Sequence, residues 1–187
     1  EGKKNVLAIC QGFSSDCVET LEEIIIQGNE SFINSGGENF DMIPCLNDNY
    51  SYLIFDKNSK KACVIDPSES DPVIRIIEKN KLNLKYILNT HHHYDHVGGN
   101  KELKKKYNSR VVGFKDDKKR IPEIDISLKD REVWKHNNFE FKIFHVPGHT
   151  SGHICFHFYK QKILFTGDTL FSSVSYTHLT LPTNIGV

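Results

Sequence analysis

The middle of the chain alternates between short apolar runs and clusters of turn-forming Asn, Asp, Gly and Ser. Such runs are typical of strands that are half-buried or buried on both faces. Two segments instead indicate helices: one capped by Ser70 or Asp71, and one from Asn100 to Tyr107 with a basic face. Residues 115–138 are predicted to be irregular. The predicted strands are 42–46, 50–55, 62–65, 84–89, 110–114, 139–146, 154–159 and 162–165.

Strands mixed with a few helices favour an α/β layered fold with its functional site at one sheet edge. Before Phe40 the pattern is different. A short helix is predicted within residues 16–25, and residues 28–39 have the Gly, Asn and Ser content of a linker. The apolar run at 6–10 is too short to assign as a leader. Residues 1–39 are therefore predicted to be an N-terminal extension without its own chemistry.

Composition narrows the class of protein. A chain of 187 residues with 38% hydrophobic and 26% charged residues is long enough for one globular domain with a core. The net charge of zero gives no support for binding to nucleic acid or to an anionic membrane, and no apolar run is long enough to span a bilayer. The five scattered cysteines include no CxxC pair, which indicates reduced thiols. We expect a cytoplasmic monomer, with an organellar location left open because the chain begins at Glu1.

The strongest chemical signal lies between Thr90 and Asn100. Four of the ten histidines and one carboxylate fall within six residues there, directly after a predicted buried strand. Imidazole and carboxylate groups are ligands of borderline divalent metals such as Zn²⁺ or Fe²⁺. This density predicts a metal site, and its candidate ligands are His91, His93, Asp95 and His96.

Two later loops add candidate ligands, since His149 and Asp168 each follow a predicted strand. In an extended loop, alternate residues point the same way, so His91, His93 and Asp95 would converge while His96 would point elsewhere. Such a set suits two metals better than one tetrahedral zinc with three protein ligands. His92 is predicted to face away from the metals. The roles of two neighbouring residues stay open. His153 is either a partner of a ligand or an ordinary residue at the start of a strand, and Asp66 is either a hydrogen-bond acceptor for a ligand loop or a turn-forming residue.

Three motifs in order, THHHYDHVGGN, PGHTSGH and FTGDTLF, resemble those of the metallo-β-lactamase superfamily. Within it they are most similar to the glyoxalase II family, the hydroxyacylglutathione hydrolases. The run IPCLNDNYSYLIFD resembles that family's first strands. The resemblance covers about residues 40–171, so these residues are identified as a metallo-β-lactamase domain. It implies an α/β fold of the αββα sandwich type, incomplete at the C-terminus.

The resemblance also implies a chemistry. His91, His93 and His149 would bind one divalent metal, Asp95 and His96 a second, and Asp168 would bridge both. The metals are expected to be zinc, with iron or manganese as alternatives. The family hydrolyses the thioester S-lactoylglutathione to glutathione and lactate in methylglyoxal detoxification, and Asp95 would orient the attacking hydroxide. The family's glutathione-binding segment has no counterpart after Phe171, so the substrate-binding residues stay unassigned.

Residues 172–187 resemble the translated end of a sequencing adapter and are predicted to be an artefactual tail. His178 within it is therefore not predicted to be a ligand. Three alternatives to glyoxalase II remain at this point. They are another hydrolase of the same fold, a mononuclear iron dioxygenase acting on glutathione persulfide, and an inactive fragment.

Overall fold

The computed structural model describes residues 7–9, 38–47 and 49–169, which form two β-sheets and three helices. In chain order, the strands are β1 (Leu7–Ile9), β2 (Glu38–Cys45), β3 (Asn49–Asp56), β4 (Lys61–Ile65), β5 (Asn83–Leu88), β6 (Arg110–Phe114), β7 (Ile124–Leu128), β8 (Val133–His136), β9 (Phe139–His145), β10 (Ile154–Phe158) and β11 (Ile163–Phe165). The helices are α1 (Ser70–Lys79), α2 (Tyr94–Val97) and α3 (Asn100–Tyr107), with 3-10 turns at Lys115–Asp117 and Gly167–Thr169.

The first sheet has the spatial order β2-β3-β4-β5-β6-β7. Strands β2, β3 and β4 are antiparallel, and β4 to β7 are parallel. Parallel neighbours need crossover connections, and α1 and α3 lie within the crossovers between β4 and β5 and between β5 and β6. The carboxyl ends of the parallel strands therefore share one edge of the sheet.

The second sheet has the order β1-β11-β10-β9-β8. Strands β8 to β11 are antiparallel neighbours, and β1 pairs in parallel with β11. The predicted extension thus contributes the edge strand β1 to this sheet. The helix predicted within residues 16–25 lies outside the described residues.

Two apolar cores hold these layers together. One lies between the sheets and is rich in aromatic side chains, including Phe40, Phe141 and Phe156. The other lies between the first sheet and the helices, where α1 contributes Val73 and Ile77. In the described part of the chain, the layers are thus one of helices and two of strands, so the predicted α/β layered fold is confirmed.

Two expectations about local structure are wrong. The segment 115–138 is not irregular, because β7 and β8 lie within it. The alternation of Ile124, Ile126 and Leu128 becomes a strand because it pairs with β6, a contact distant in sequence from the pattern itself. The cap of α1 also differs from expectation. The helix follows Glu69, which makes no side-chain cap hydrogen bond, and Ser70 Oγ instead donates to Glu102 Oε2 at 2.5 Å.

None of the helices in the described ranges is both long and apolar enough to cross a membrane.

Candidate metal centre

Three loops meet at one end of the two sheets, and each follows a strand as predicted. The first follows β5, the second follows β9, and the third follows β11. A hydrogen bond from Ile154 N to Thr90 O, at 2.9 Å, joins the first loop directly to the start of β10. This bond brings the histidines of the first loop against the second and third loops.

The first loop is fixed at its start by Asp66, a fully buried residue with a positive φ of 47° after β4. Its Oδ1 accepts a hydrogen bond from Thr90 N at 2.7 Å, and its Oδ2 accepts one from Thr90 Oγ1 at 2.6 Å. Thr90 Oγ1 has one proton, so its 3.0 Å contact with His91 Nδ1 requires the imidazole to donate. His91 therefore carries its proton on Nδ1 and has a bare lone pair on Nε2.

His91, His93 and His149 form a first group whose nitrogen atoms lie within 4.8 Å of one another. The Nε2 of His149 is 2.9 Å from His93 Nδ1, and the His91 ring is centred 4.7 Å and 4.9 Å from the other two. His91 is fully buried whereas His149 is exposed. Burial and the surrounding imidazoles hold the pKa of His91 far below its ordinary value, so this ring is neutral and available as a ligand.

His91 also belongs to a second group with His96 and Asp168. The Nε2 of His96 is 3.2 Å from Asp168 Oδ1, and its Nδ1 is 3.2 Å from Asp66 Oδ2. Burial alone would lower the pKa of His96, but hydrogen bonds to Asp168, Asp66 and Asp95 raise it well above its ordinary value. Asp168 reaches both groups, since its Oδ2 is 3.3 Å from His149 Nε2.

Asp95 lies beside the second group, with Oδ2 3.4 Å from His96 Nε2 and its side chain 42% exposed. Asn49 Nδ2 donates to the same oxygen at 2.9 Å. Hydrogen bonds from His96 and Asn49 hold the pKa of Asp95 below its ordinary range, so it is a carboxylate at neutral pH. Asn49 was not predicted from the sequence, because a turn asparagine carries no sign of a partner 46 residues away.

The expectation of an extended first loop is wrong beyond His93, because Tyr94 to Val97 form the helical turn α2. The turn buries His96 beneath Asp95, so both side chains reach the site, although they are adjacent in sequence. Gly98 follows at a close backbone approach, where a Cβ would lie within 2.4 Å of Ser68 O. A side chain there would push the turn away from the end of β4.

His153, whose role the sequence left open, contacts the third loop. It is fully buried, and Asp168 N donates to its Nε2 at 3.2 Å. Burial lowers the pKa of His153 to about 4, which keeps this acceptor neutral. Asp66 is likewise a partner of the ligand loop, through Thr90. His92 points away from the two groups, with Nδ1 3.3 Å from Asp117 Oδ2.

The donor set fits a divalent metal. The buried Nε2 of His91, which belongs to both groups, has no hydrogen-bond partner among the described residues. Such an orphaned lone pair is costly unless an ion or a proton donor occupies it. Mixed imidazole and carboxylate ligands suit zinc, iron or manganese. The two groups can therefore hold divalent metal ions.

A family model of the metallo-beta-lactamase superfamily matches residues 46–127 and 118–178, which together make up more than half of the chain. The chain belongs to the metallo-β-lactamase superfamily. A ferrochelatase model matches residues 1–55, which are less than a third of the chain.

Two bacterial relatives confirm the resemblance to glyoxalase II. The hydroxyacylglutathione hydrolase of Pelagibacter ubique is 66% identical over 131 residues, which are 70% of this chain and 55% of that protein. The hydroxyacylglutathione hydrolase of Methylococcus capsulatus is 45% identical over 130 residues, 70% of this chain and 51% of that protein. This chain thus spans about half the length of the curated relatives it matches.

Solved structures agree on the fold. The BLEG-1 B3 metallo-beta-lactamase superposes with a TM-score of 0.65 at 24% identity, covering 71% of this chain and 73% of that one. ETHE1 from Myxococcus xanthus gives a TM-score of 0.59 at 24% identity, covering 71% of this chain and 58% of that one. These likenesses establish the metallo-β-lactamase fold of the superfamily.

Proposed function

We propose that this chain is the metal-binding part of a hydroxyacylglutathione hydrolase that cleaves S-lactoylglutathione to glutathione and lactate. The observation that carries the substrate class is the 66% identity, over 131 residues, to the Pelagibacter ubique relative of that name. The meeting of all six predicted ligands at one end of the sheets supports the same chemistry.

We assign the six residues to two divalent metal sites, most simply zinc, with iron or manganese as alternatives. The first site would be formed by His91, His93 and His149. The second would be formed by His96 and Asp95. Asp168 would bridge the sites, because its two carboxylate oxygens lie 3.2 Å from His96 Nε2 and 3.3 Å from His149 Nε2.

Bound divalent ions would polarise the thioester carbonyl and lower the pKa of a water molecule beside it. Asp95 would orient that water by accepting its hydrogen bond at Oδ1, since Oδ2 already accepts one from Asn49. The lowered pKa of Asp95 keeps the carboxylate ionised for this role. The attacking oxygen would form a bond to the carbonyl carbon as its proton passes to Asp95. The carbon–sulfur bond would then break, and glutathione would leave as the thiolate, which takes up that proton.

Hydrolysis of S-lactoylglutathione, followed by its thioester absorbance, tests this proposal. The zinc-loaded chain is assayed alone and joined to the C-terminal segment of the Pelagibacter ubique relative. We expect zinc-dependent cleavage, and a rate lower by at least about 100-fold in Asp95→Ala, because a positioned carboxylate contributes that much to proton transfer. Asp116→Asn, an exposed carboxylate variant, should match the wild type. Oxygen consumption with glutathione persulfide, and no thioester cleavage in either form, would contradict the proposal.

We also infer that the protein acts on a small-molecule thioester as a cytoplasmic monomer, without a nucleic-acid or membrane partner. The net charge of zero supports the absence of a polyanionic partner. The five scattered cysteines, which include no CxxC pair, support a reducing compartment. Residues 40–171 would be the catalytic unit, residues 1–39 an extension, and residues 172–187 a segment foreign to it.

A further inference from the structure

Asp117 is a fully buried carboxylate outside the two ligand groups. It ends the 3-10 turn Lys115–Asp117, and its neighbours Asp116 and Lys118 are exposed. Burying a carboxylate is costly unless charged and hydrogen-bonding partners surround it. The surroundings of Asp117 therefore indicate what the buried charge holds in place.

One side of Asp117 contacts the first ligand loop. Its Oδ2 is 3.3 Å from Nδ1 of His92, the residue between the predicted ligands His91 and His93. This contact turns the His92 ring away from the metal groups, and it anchors the backbone that carries His93.

The other side of Asp117 contacts the second ligand loop. Arg120 forms an ion pair with Asp117 Oδ1, and the same guanidinium donates to Ser151 Oγ at 2.8 Å. The turn is closed by Arg120 N and Ile121 N, which donate to Asp117 O at 2.8 and 2.9 Å. Arg120 thereby links the buried carboxylate to the loop that carries His149.

Gly152 shows how closely the second loop approaches. A Cβ at this position would overlap both carboxylate oxygens and Cγ of Asp117. The carboxylate therefore packs directly against the backbone of the second loop. Asp117 thus fills the space between the two loops.

We propose that Asp117 is a positioning residue that sets the separation between the loops of His93 and His149, and so the geometry of the first metal group. This inference rests on the proposed binding of a metal by His91, His93 and His149. Metal–ligand distances tolerate errors of only about 0.2 Å, so a small shift of one loop weakens binding at this group. The second group does not depend on this spacing, because His91 and His96 lie on the first loop and Asp168 lies on the third.

The test is zinc affinity measured stepwise, by competition with a chromophoric chelator, in the full chain and in Asp117→Asn. His149→Ala and His96→Ala identify which step belongs to which group. Asparagine keeps the size of the side chain and removes its charge. We expect the Kd of the first group to rise about 10- to 100-fold, as for other residues that orient ligands, and that of the second group to change less than about threefold.

Asp116→Asn is the matched control, because it removes an exposed carboxylate from the same turn, and both of its affinities should equal those of the wild type. Ser151→Ala cuts the link from Arg120 to the second loop without touching the buried charge. Ser151→Ala should weaken zinc binding at the first group alone. It replaces Asp117→Asn in the test if that variant does not fold.

The outcomes separate this inference from the proposed function. A wild-type chain that binds no zinc would contradict both the positioning role of Asp117 and the proposed function. Two zinc ions bound with unchanged affinities in Asp117→Asn or in Ser151→Ala would overturn the positioning role and leave the proposed function standing. Equal weakening of both groups, together with lower stability of the metal-free protein, would show a purely structural role and also overturn the inference.

Discussion

At the scale of single residues, Asp95 is the most exposed of the carboxylates at the centre and depends most on a distant partner. Asp168 and Asp66 are held within the site, whereas Asp95 is 42% exposed. Asn49 begins β3, directly after the β2–β3 turn, and its side chain donates a hydrogen bond to Asp95 at 2.9 Å although the two residues are 46 positions apart in sequence. An exposed carboxylate samples several rotamers unless a donor selects one, so Asn49 limits where Asp95 points.

Replacing Asn49 by Ala should weaken zinc binding at the proposed second site, which Asp95 and His96 would form. Loss of the donor frees the Asp95 side chain, and zinc binding at that site should fall about tenfold, the lower end of the effect of removing a residue that orients a ligand. Stepwise zinc titration measures this. Asn47→Ala, an exposed asparagine in the same turn, is the control and should leave both steps unchanged. Equal second-step affinities in Asn49→Ala and wild type would show that Asn49 does not orient Asp95.

Gly167 gives a second prediction at the scale of residues, because its backbone conformation and close neighbours leave no room for a side chain. It has a positive φ of 50°, and a Cβ there would lie 2.6 Å from Thr90 Oγ1 and 2.8 Å from His153 Nε2. Gly167→Ala should therefore lower the free energy of unfolding by about 1–3 kcal/mol, from backbone strain and displaced neighbours. Gly148→Ala is the control, because an added Cβ meets nothing within 4 Å. Urea unfolding of the metal-free proteins measures the free energy of unfolding of both variants. Equal losses in Gly167→Ala and Gly148→Ala would show that Gly167 is not constrained by its conformation or its neighbours.

At the scale of elements, local patterns were enough for the strands that carry ligands. The apolar run before His91, the alternating run before His149 and the short run before Asp168 each predict a strand, and β5, β9 and β11 are found there. Elements that depend on distant partners were not predictable. Strand β7 is defined by its pairing with β6, and α2 by packing against the end of β4. The candidate ligands were therefore readable from sequence, whereas Asn49 and Asp117, which contact them or their loops, were not.

The two faces of the second sheet give an element-scale prediction. Phe156 on β10 is fully buried between the sheets and packs edge-on against Phe141 at 5.2 Å. Phe144 on β9 faces the opposite side and is only half-buried. Phe156→Ala should cost about 3–5 kcal/mol of unfolding free energy, as expected for a phenylalanine removed from a packed core. Phe144→Ala should cost clearly less in the same denaturant titration. Equal costs would mean that both faces are packed alike.

At the scale of the whole molecule, two family matches meet in one hairpin. The ferrochelatase match ends at residue 55, and the metallo-β-lactamase match begins at residue 46. Strands β2 and β3 pair across this overlap over their full lengths, from Glu38↔Asp56 to Cys45↔Asn49. Phe40 of β2 lies in the core between the sheets. The proposed boundary between residues 39 and 40 therefore lies within β2, so the first two residues of this strand join the same sheet as the proposed catalytic unit.

Zinc should stabilise the whole molecule, because the two groups form only in the folded chain. At 100 times the Kd, binding contributes about 2.7 kcal/mol, which for a chain of this size raises Tm by roughly 5–10 °C. Thermal unfolding with zinc and with a chelator measures the difference. His91→Ala removes a ligand of the proposed first site whose imidazole also lies in the second group, and it should abolish most of the shift. An equal shift in this variant would place the stabilising zinc elsewhere.

The order of the ligand loops along the chain sets the order in which the two groups can form during folding. A hydrogen bond from Ile154 N to Thr90 O joins the first loop to β10, whereas Asp168 follows β11. The first group needs residues 91–149, but the second needs the strand that precedes Asp168, the last strand of the described chain. Because distant contacts form only after their loops close, the second group is complete only when β11 has docked. During synthesis or refolding, the uptake of a second ion would therefore report the docking of β11.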